Sequence, residues 1–157
     1  MPRHKYKKIK IKPDKVYNSF EVAKLINYLI HDGEKKVAEK ITYQAFEEIK
    51  KQKLDPIKIF YQAITNTSPQ MEVKPRRLGG ASYLVPTEVR KERRLFLSLN
   101  GIIEAAKSRS SKEYKSFYKK LAAELIDASN NQGQAVAKKQ QTESLAEKNK
   151  AFSHLKW

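Results

Sequence analysis

The chain has 157 residues, enough for one domain with a real core and too few for two ordinary ones. Lys and Arg number 33 against 17 Asp and Glu, a formal charge of +16 that calls for a polyanionic partner. With no cysteine, disulfide scaffolds, thiolate zinc sites and Cys nucleophiles are excluded. No apolar run reaches the roughly 18 residues of a membrane span. The first residues, MPRHKYKKIKIKPDK, lack the apolar core of a secretory signal, so the expectation is a soluble intracellular protein.

Charge is unevenly spread. Residues 1–15 carry net +6, 16–73 are neutral, 74–94 carry +5, 95–106 carry −1 and 107–157 carry +6. One charge run reads as a solvated face. Three basic patches around a neutral body read as phosphate binding.

Residues 1–15, punctuated by Pro2 and Pro13, read as a flexible basic arm, with the domain proper over 16–157. Asn18 with Glu21 three residues on predicts a capping box and a helix to about His31, its stripe being Val22, Leu25, Ile26, Leu29 and Ile30. After Asp32-Gly33, a second helix is predicted over about 34–51, with Val37, Ile41, Ala45 and Ile49 in line. Asp55-Pro56 reads as cap and first residue of a third, with Ile57, Phe60, Tyr61 and Ile64 inward, closed by Pro69.

At Met71 the period changes to two. Met71 and Val73, then Tyr83, Val85, Thr87 and Val89, alternate around Gly79-Gly80, which predicts a β-hairpin over about 71–89. Pro75 and Pro86 suit only the free edges of a two-stranded ribbon. Nothing else reads as strand, so the ribbon is expected to project as an arm. A fourth helix follows to about Lys107, inward through Leu95, Leu99, Ile102, Ile103 and Ala106. Ser110 and Glu113 predict a capping box before a fifth helix with Tyr114, Phe117, Tyr118, Leu121, Leu125 and Ala128, ended by Asn130-Asn131-Gln132-Gly133. A last polar helix, about 134–149, offers Val136, Leu145 and Ala146. The fold class expected is mainly α: a single bundle of about six helices with a protruding two-stranded arm.

No catalytic constellation, metal site or cofactor motif emerges. His4, His31 and His154 are scattered, Glu47-Glu48 splay apart on a helix, and Gly79-Gly80 lacks a phosphate-loop context. The reading is a nucleic-acid binder, not an enzyme, with no membrane and no small-molecule substrate.

The run KPRRLGGASYLVPTEVRKERR, Lys74 to Arg94, closely resembles the arm of the bacterial-type small-subunit ribosomal protein seven family. The likeness extends through KPD at 12–14, HDGEKK at 31–36, EAAKSR at 104–109, NNQGQAVAKK at 130–139 and NKAFSHLKW at 149–157. Three positions depart from the family pattern. Lys91 stands where Pro is common, Gly101 where a bulky aromatic is common, and Ser108 where a basic residue is usual.

The resemblance implies a structural component of the small ribosomal subunit. It would bind the 3′ major domain of 16S-type ribosomal RNA, start assembly of the head, and lie at the subunit interface near the decoding centre. Its neighbours would be exit-site transfer RNA, the message, and small-subunit proteins nine and eleven. Its place would be the cytoplasm, or the plastid stroma if organellar.

The expected RNA-binding residues are Arg3, Lys5, Lys7, Lys8, Lys10, Lys35, Lys36, Arg76, Arg77, Arg90, Arg93, Arg94, Lys107, Arg109, Lys138, Lys139 and Lys148. On the arm, Arg77, Gly79, Gly80, Tyr83 and Leu84 are expected beside transfer RNA and message. Arg suits a planar fork onto phosphate, Lys a mobile point charge, and A-form RNA is read through phosphates, 2′-hydroxyls and shape. The rival class is a helical DNA-binding protein, which would need a recognition helix with base-reading Arg, Asn or Gln; none is evident.

Overall fold

The structure, a computed structural model, describes residues 11–155. In chain order its elements are α1 (Phe20–Leu29), α2 (Lys35–Lys51), α3 (Pro56–Thr67), β1 (Met71–Leu78), β2 (Ala81–Glu88), α4 (Lys91–Ser108), α5 (Phe117–Ser129) and α6 (Gln134–Lys148). A short 3-10 helix follows at Lys150–Leu155. The mainly α architecture with one two-stranded antiparallel ribbon is the one expected.

α5 is the hub, packed against α2, α3 and α4. Its Leu121, Leu125 and Ala128 are fully buried with Phe46, Ile49, Phe60, Leu99 and Ile102. The Phe46 and Phe60 rings meet at 5.7 Å. Polar groups inside this core find partners, as burial demands. Asn66 of α3 donates to the last carbonyls of α5, Ala128 at 2.9 Å and Ser129 at 2.8 Å. Thr67 and Ser98 share a 2.6 Å hydrogen bond between α3 and α4.

Local signals hold where their chemistry is local. Asp55 Oδ1 accepts from Ile57 N–H at 3.0 Å, with Pro56 opening α3. Past α5, Asn131 takes φ +57, Gln132 N–H donates to Asp127 C=O at 2.8 Å and Asn131 N–H to Ala128 C=O at 3.2 Å, a complete Schellman cap.

Other expectations need correcting. Asn18 is left-handed (φ 48), so Ser19 caps α1 instead, its Oγ accepting from Val22 N–H at 3.4 Å. α1 ends at Leu29 because Ile30 is extended. α2 and α3 bury faces rotated from the expected stripes: Ala38, Thr42, Ala45, Phe46 and Ile49 in α2, and Ile59, Phe60, Ala63 and Thr67 in α3. Val37 is 48% exposed and Tyr61 40%. Small Ala and Thr side chains let the helices approach closely around the two phenylalanines, and that gain outweighs the larger aliphatics. α5 opens at Phe117 after Ser116, not after Ser110. Tyr114 N–H reaches Ser110 C=O at 3.2 Å in one isolated turn, held where the Arg109 guanidinium lies 5.7 Å from the Tyr114 ring. Leu145 stays 41% exposed. Asp14, expected on the arm, is buried: its carboxylate accepts from Val16 and Tyr17 N–H at 3.0 Å and from the Tyr43 hydroxyl at 2.7 Å. Burial pushes its pKa up, but these hydrogen bonds outweigh it and hold Asp14 below the usual 3.8. Burial and the same carboxylate push the Tyr43 hydroxyl up.

The ribbon pairs Met71 with Glu88 through Leu78 with Ala81. Gly79 and Gly80 (φ 55 and 90) make a two-residue turn that needs positive φ at both positions. Val89 N–H donates to Gln70 C=O at 3.0 Å, which makes Gln70–Val89 a hydrogen-bonded pair. Alternation then puts Val73–Pro86 and Pro75–Leu84 in non-hydrogen-bonded pairs, so both missing N–H groups face away from the ladder, Pro75 at an exposed edge and Pro86 at one buried beside α6 and the 3-10 helix. The tip projects, as expected, but the root does not. Val85 and Val89 are buried against the body, β1 lies on α6, and the 3-10 helix lies on β2 with Phe152 5.3 Å from Tyr83.

Gly101, inside α4, faces a cleft of about 270 Å³ walled in part by Thr67, Leu97 and Ala135, and a Cβ there would meet nothing within 4 Å. Gly101→Ala should therefore stabilise the fold by about 1 kcal/mol through helix propensity alone, read as a higher urea midpoint at unchanged slope. A lower midpoint would show that the backbone needs glycine here.

Candidate nucleic-acid interface

The first turn of α4 breaks a local rule. Arg90, Lys91, Arg93 and Arg94 crowd the end of the helix whose dipole favours anions, relieved only by Glu92. Such conflicts between sequence and local electrostatics are expected at functional or strained sites. The turn sits at the ribbon root. There Glu72 of β1, 8% exposed, takes Arg93 Nε at 3.3 Å and Lys74 Nζ at 3.2 Å on its two oxygens. The Arg93 guanidinium lies 5.1 Å over the Phe96 ring, itself edge-on to Tyr28 of α1 at 5.4 Å. Arg94 bends back to Val89 C=O at 3.5 Å, and its buried Nε has no hydrogen-bond partner among the described residues.

Other expected residues join this surface or stand apart. Lys139, half-buried, and Lys138, exposed, line the cleft beside the root together with Glu72 and Val73. Lys138 also pairs with Glu104 of α4. On the tip, Arg77 is exposed beside the Gly79-Gly80 turn, Arg76 is half-buried opposite Tyr83, and Leu84 is 39% exposed. Lys35 and Lys36 open α2 on the surface, Lys35 lining a cleft shared with Lys12 and Lys15. Lys107 lies at the far end of α4, about 20 Å from Arg93 along the helix rise, and Lys148 closes α6. Arg3, Lys5, Lys7, Lys8 and Lys10 lie outside the described residues.

Arg109 turns inward. Its Nε reaches Glu124 Oε2 at 2.8 Å, its Nη2 reaches the same oxygen at 2.6 Å and also pairs with Asp127. Glu124 is fully buried, and its other oxygen accepts Ala135 N–H at 3.0 Å, capping α6. Burial works against the Arg109 charge, but Asp127 and Glu124 outweigh it and hold its pKa above the ordinary guanidinium value. Gly133 (φ +91) completes the joint, since a Cβ would stand 2.9 Å from Glu124 Oε1.

Sequence reasoning passes over Lys74, Lys91 and Glu72. The lysines stand inside a basic run that is itself conspicuous, whereas Glu72 carries no signal of its own, because an acid is not sought in an anion site. Sequence reasoning also finds no carboxylate paired with a histidine. His31 Nδ1 does meet Asp32 at 2.9 Å, an exposed contact within one turn. Among the described residues no group of three acidic or histidine side chains could hold a metal ion.

A family model described as ribosomal protein S7p/S5e matches residues 1–150. The small ribosomal subunit protein uS7 of Caldanaerobacter subterraneus subsp. tengcongensis is 52% identical over 151 residues, 96% of this chain and 95% of that protein. The uS7 of Thermoanaerobacter sp. (strain X514) is 50% identical over the full length of both chains. That of Thermotoga maritima is 47% identical, again over the full length of both. The helical body, the basic ribbon root and these full-length likenesses agree: the chain belongs to the ribosomal protein S7 family, structural proteins of the small subunit rather than enzymes.

Proposed function

We propose that this chain binds the 3′ major domain of small-subunit ribosomal RNA and starts assembly of the subunit head. Its arm would border exit-site transfer RNA and the message, near the decoding centre at the subunit interface, with small-subunit proteins nine and eleven as neighbours. The observation that supports it most is the gathering of Lys74, Arg93 and Lys139 around Glu72, where the ribbon root meets α4 and α6. Basic groups at the junction of a body and an arm can straddle A-form backbones, which are read by phosphate and shape. Arg90, Lys91, Lys138, Lys35 and Lys36 extend the cationic surface, and the N-terminal lysines add further positive charge.

Hydroxyl-radical footprinting on 16S-type RNA tests the assignment. Protection is expected in the 3′ major domain, and protection confined to another domain would overturn it. Replacing Arg76–Ser82 with two glycines tests the arm. Stability should change by less than about 0.5 kcal/mol, because the buried residues of the ribbon lie outside this stretch. Two fewer cations should lower the salt slope of RNA binding by about two. Retention of deacylated transfer RNA at the exit site should fall. An unfolded body or a failed head assembly would make the arm a strut instead.

A further inference from the structure

Glu72 is an anomaly for a surface that meets phosphate. A carboxylate there repels the ligand, and burying one costs free energy unless it is paired. It is paired with two cations from different elements, Lys74 on its own strand and Arg93 on α4. The Thr87 hydroxyl, on the facing strand, donates to the Glu72 carbonyl at 3.3 Å and fixes the backbone below it. Arg93 is thereby held twice, by the carboxylate on its Nε and by the Phe96 ring under its plane. Its remaining donors meet no acceptor among the described residues, although half of its side-chain surface is open. A guanidinium fixed at Nε keeps its terminal nitrogens available as a planar fork, the geometry that grips a phosphate.

We propose that Glu72 is a positioning residue of the RNA interface: an acid buried at the ribbon root that strengthens phosphate binding by locking Arg93 and Lys74 in place. This rests on the RNA-binding reading above. Its gain comes from preorganisation, since an exposed Arg otherwise loses rotamer freedom on binding.

The test turns on a sign. Glu72→Met keeps the volume and removes both acceptors; Glu72→Gln keeps one. Charge alone requires both to bind RNA more tightly, because each removes a negative charge from the surface. Positioning requires the opposite. In filter binding with a transcribed 3′ major domain, affinity should fall about tenfold for Glu72→Met, the scale of one charge-assisted hydrogen bond. Glu72→Gln should fall between it and the parent. Thermal melts check that each variant is folded, and the Gln variant carries the test if the Met variant is not.

In an Arg93→Ala, Lys74→Ala background, Glu72→Met should cause no further loss, since nothing is left to position. Equal or tighter binding by Glu72→Met in the otherwise unaltered protein would overturn the proposal, as would an undiminished loss in that background. If Arg93→Ala weakens binding while Glu72→Met does not, only the positioning role falls. If Arg93→Ala is itself silent, the reading of this surface as the RNA interface falls with it.

Discussion

Removing the Arg109 side chain should cost about 3–5 kcal/mol of stability, because it strands a fully buried carboxylate. Glu124 would keep only Ala135 N–H, and Asp127, which is partly exposed, would return to water at little cost. At about 2–4 °C per kcal/mol for a chain of this size, the melting temperature of Arg109→Ala should drop on the order of 10 °C. Arg109→Lys should fall between, since one ammonium cannot serve two carboxylates with a planar fork. The RNA salt slope, by contrast, should not move. Urea unfolding followed by circular dichroism decides it: a loss under about 1 kcal/mol would mean water reaches Glu124 and solvates it. A reduced salt slope would return Arg109 to the RNA interface.

The second large effect is ionic. If about six to ten phosphates are neutralised, RNA affinity should fall by three to five decades between about 50 and 200 mM salt on the duplex DNA scale, and somewhat less for unpaired RNA. The cations are there in number: three basic stretches carry the whole of the positive excess, and two of them meet at the ribbon root and α6. Filter binding across a salt series measures the slope. A nearly flat response would assign the affinity to stacking and hydrogen bonds, with charge a minor contributor.

These two expectations separate residues that look alike in the sequence. Arg93 and Arg109 are both arginines in basic stretches, and the sequence places both on RNA. What distinguishes them is the position of acids 15 and 18 residues further on for Arg109, and 21 residues back for Arg93. No local pattern reports such distances. The same limit explains the packing faces. Asp55-Pro56, Gly79-Gly80 and the Asn130–Gly133 cap are chemistry between near neighbours, and each is legible. The inward faces of α2 and α3 depend on which helix lies opposite, and Ala38, Thr42, Ala63 and Thr67 carry little hydrophobic signal to announce it. The 3-10 helix at 150–155 escapes sequence reasoning because KAFSHL offers only Phe152 and Leu155 as strong apolar residues, and the Phe152 partner Tyr83 is distant in sequence. By sequence alone Tyr83 has no core to fill; the tertiary fold supplies its neighbour.

The placement of Pro75 and Pro86 reaches beyond the geometry of one hairpin. Each removes a donor from a strand edge, Pro75 where β1 is exposed and Pro86 where β2 is buried beside α6 and the 3-10 helix. A second copy that tried to extend the sheet along β1 would find its hydrogen-bond ladder interrupted at Pro75, and along β2 it would meet an edge already covered at Pro86, two of the devices that keep strands from templating aggregates. The same interruption bars neighbours from adding a strand, so whatever meets the projecting tip must be recognised through side chains and the Gly79-Gly80 turn. The arm is built to touch without being incorporated.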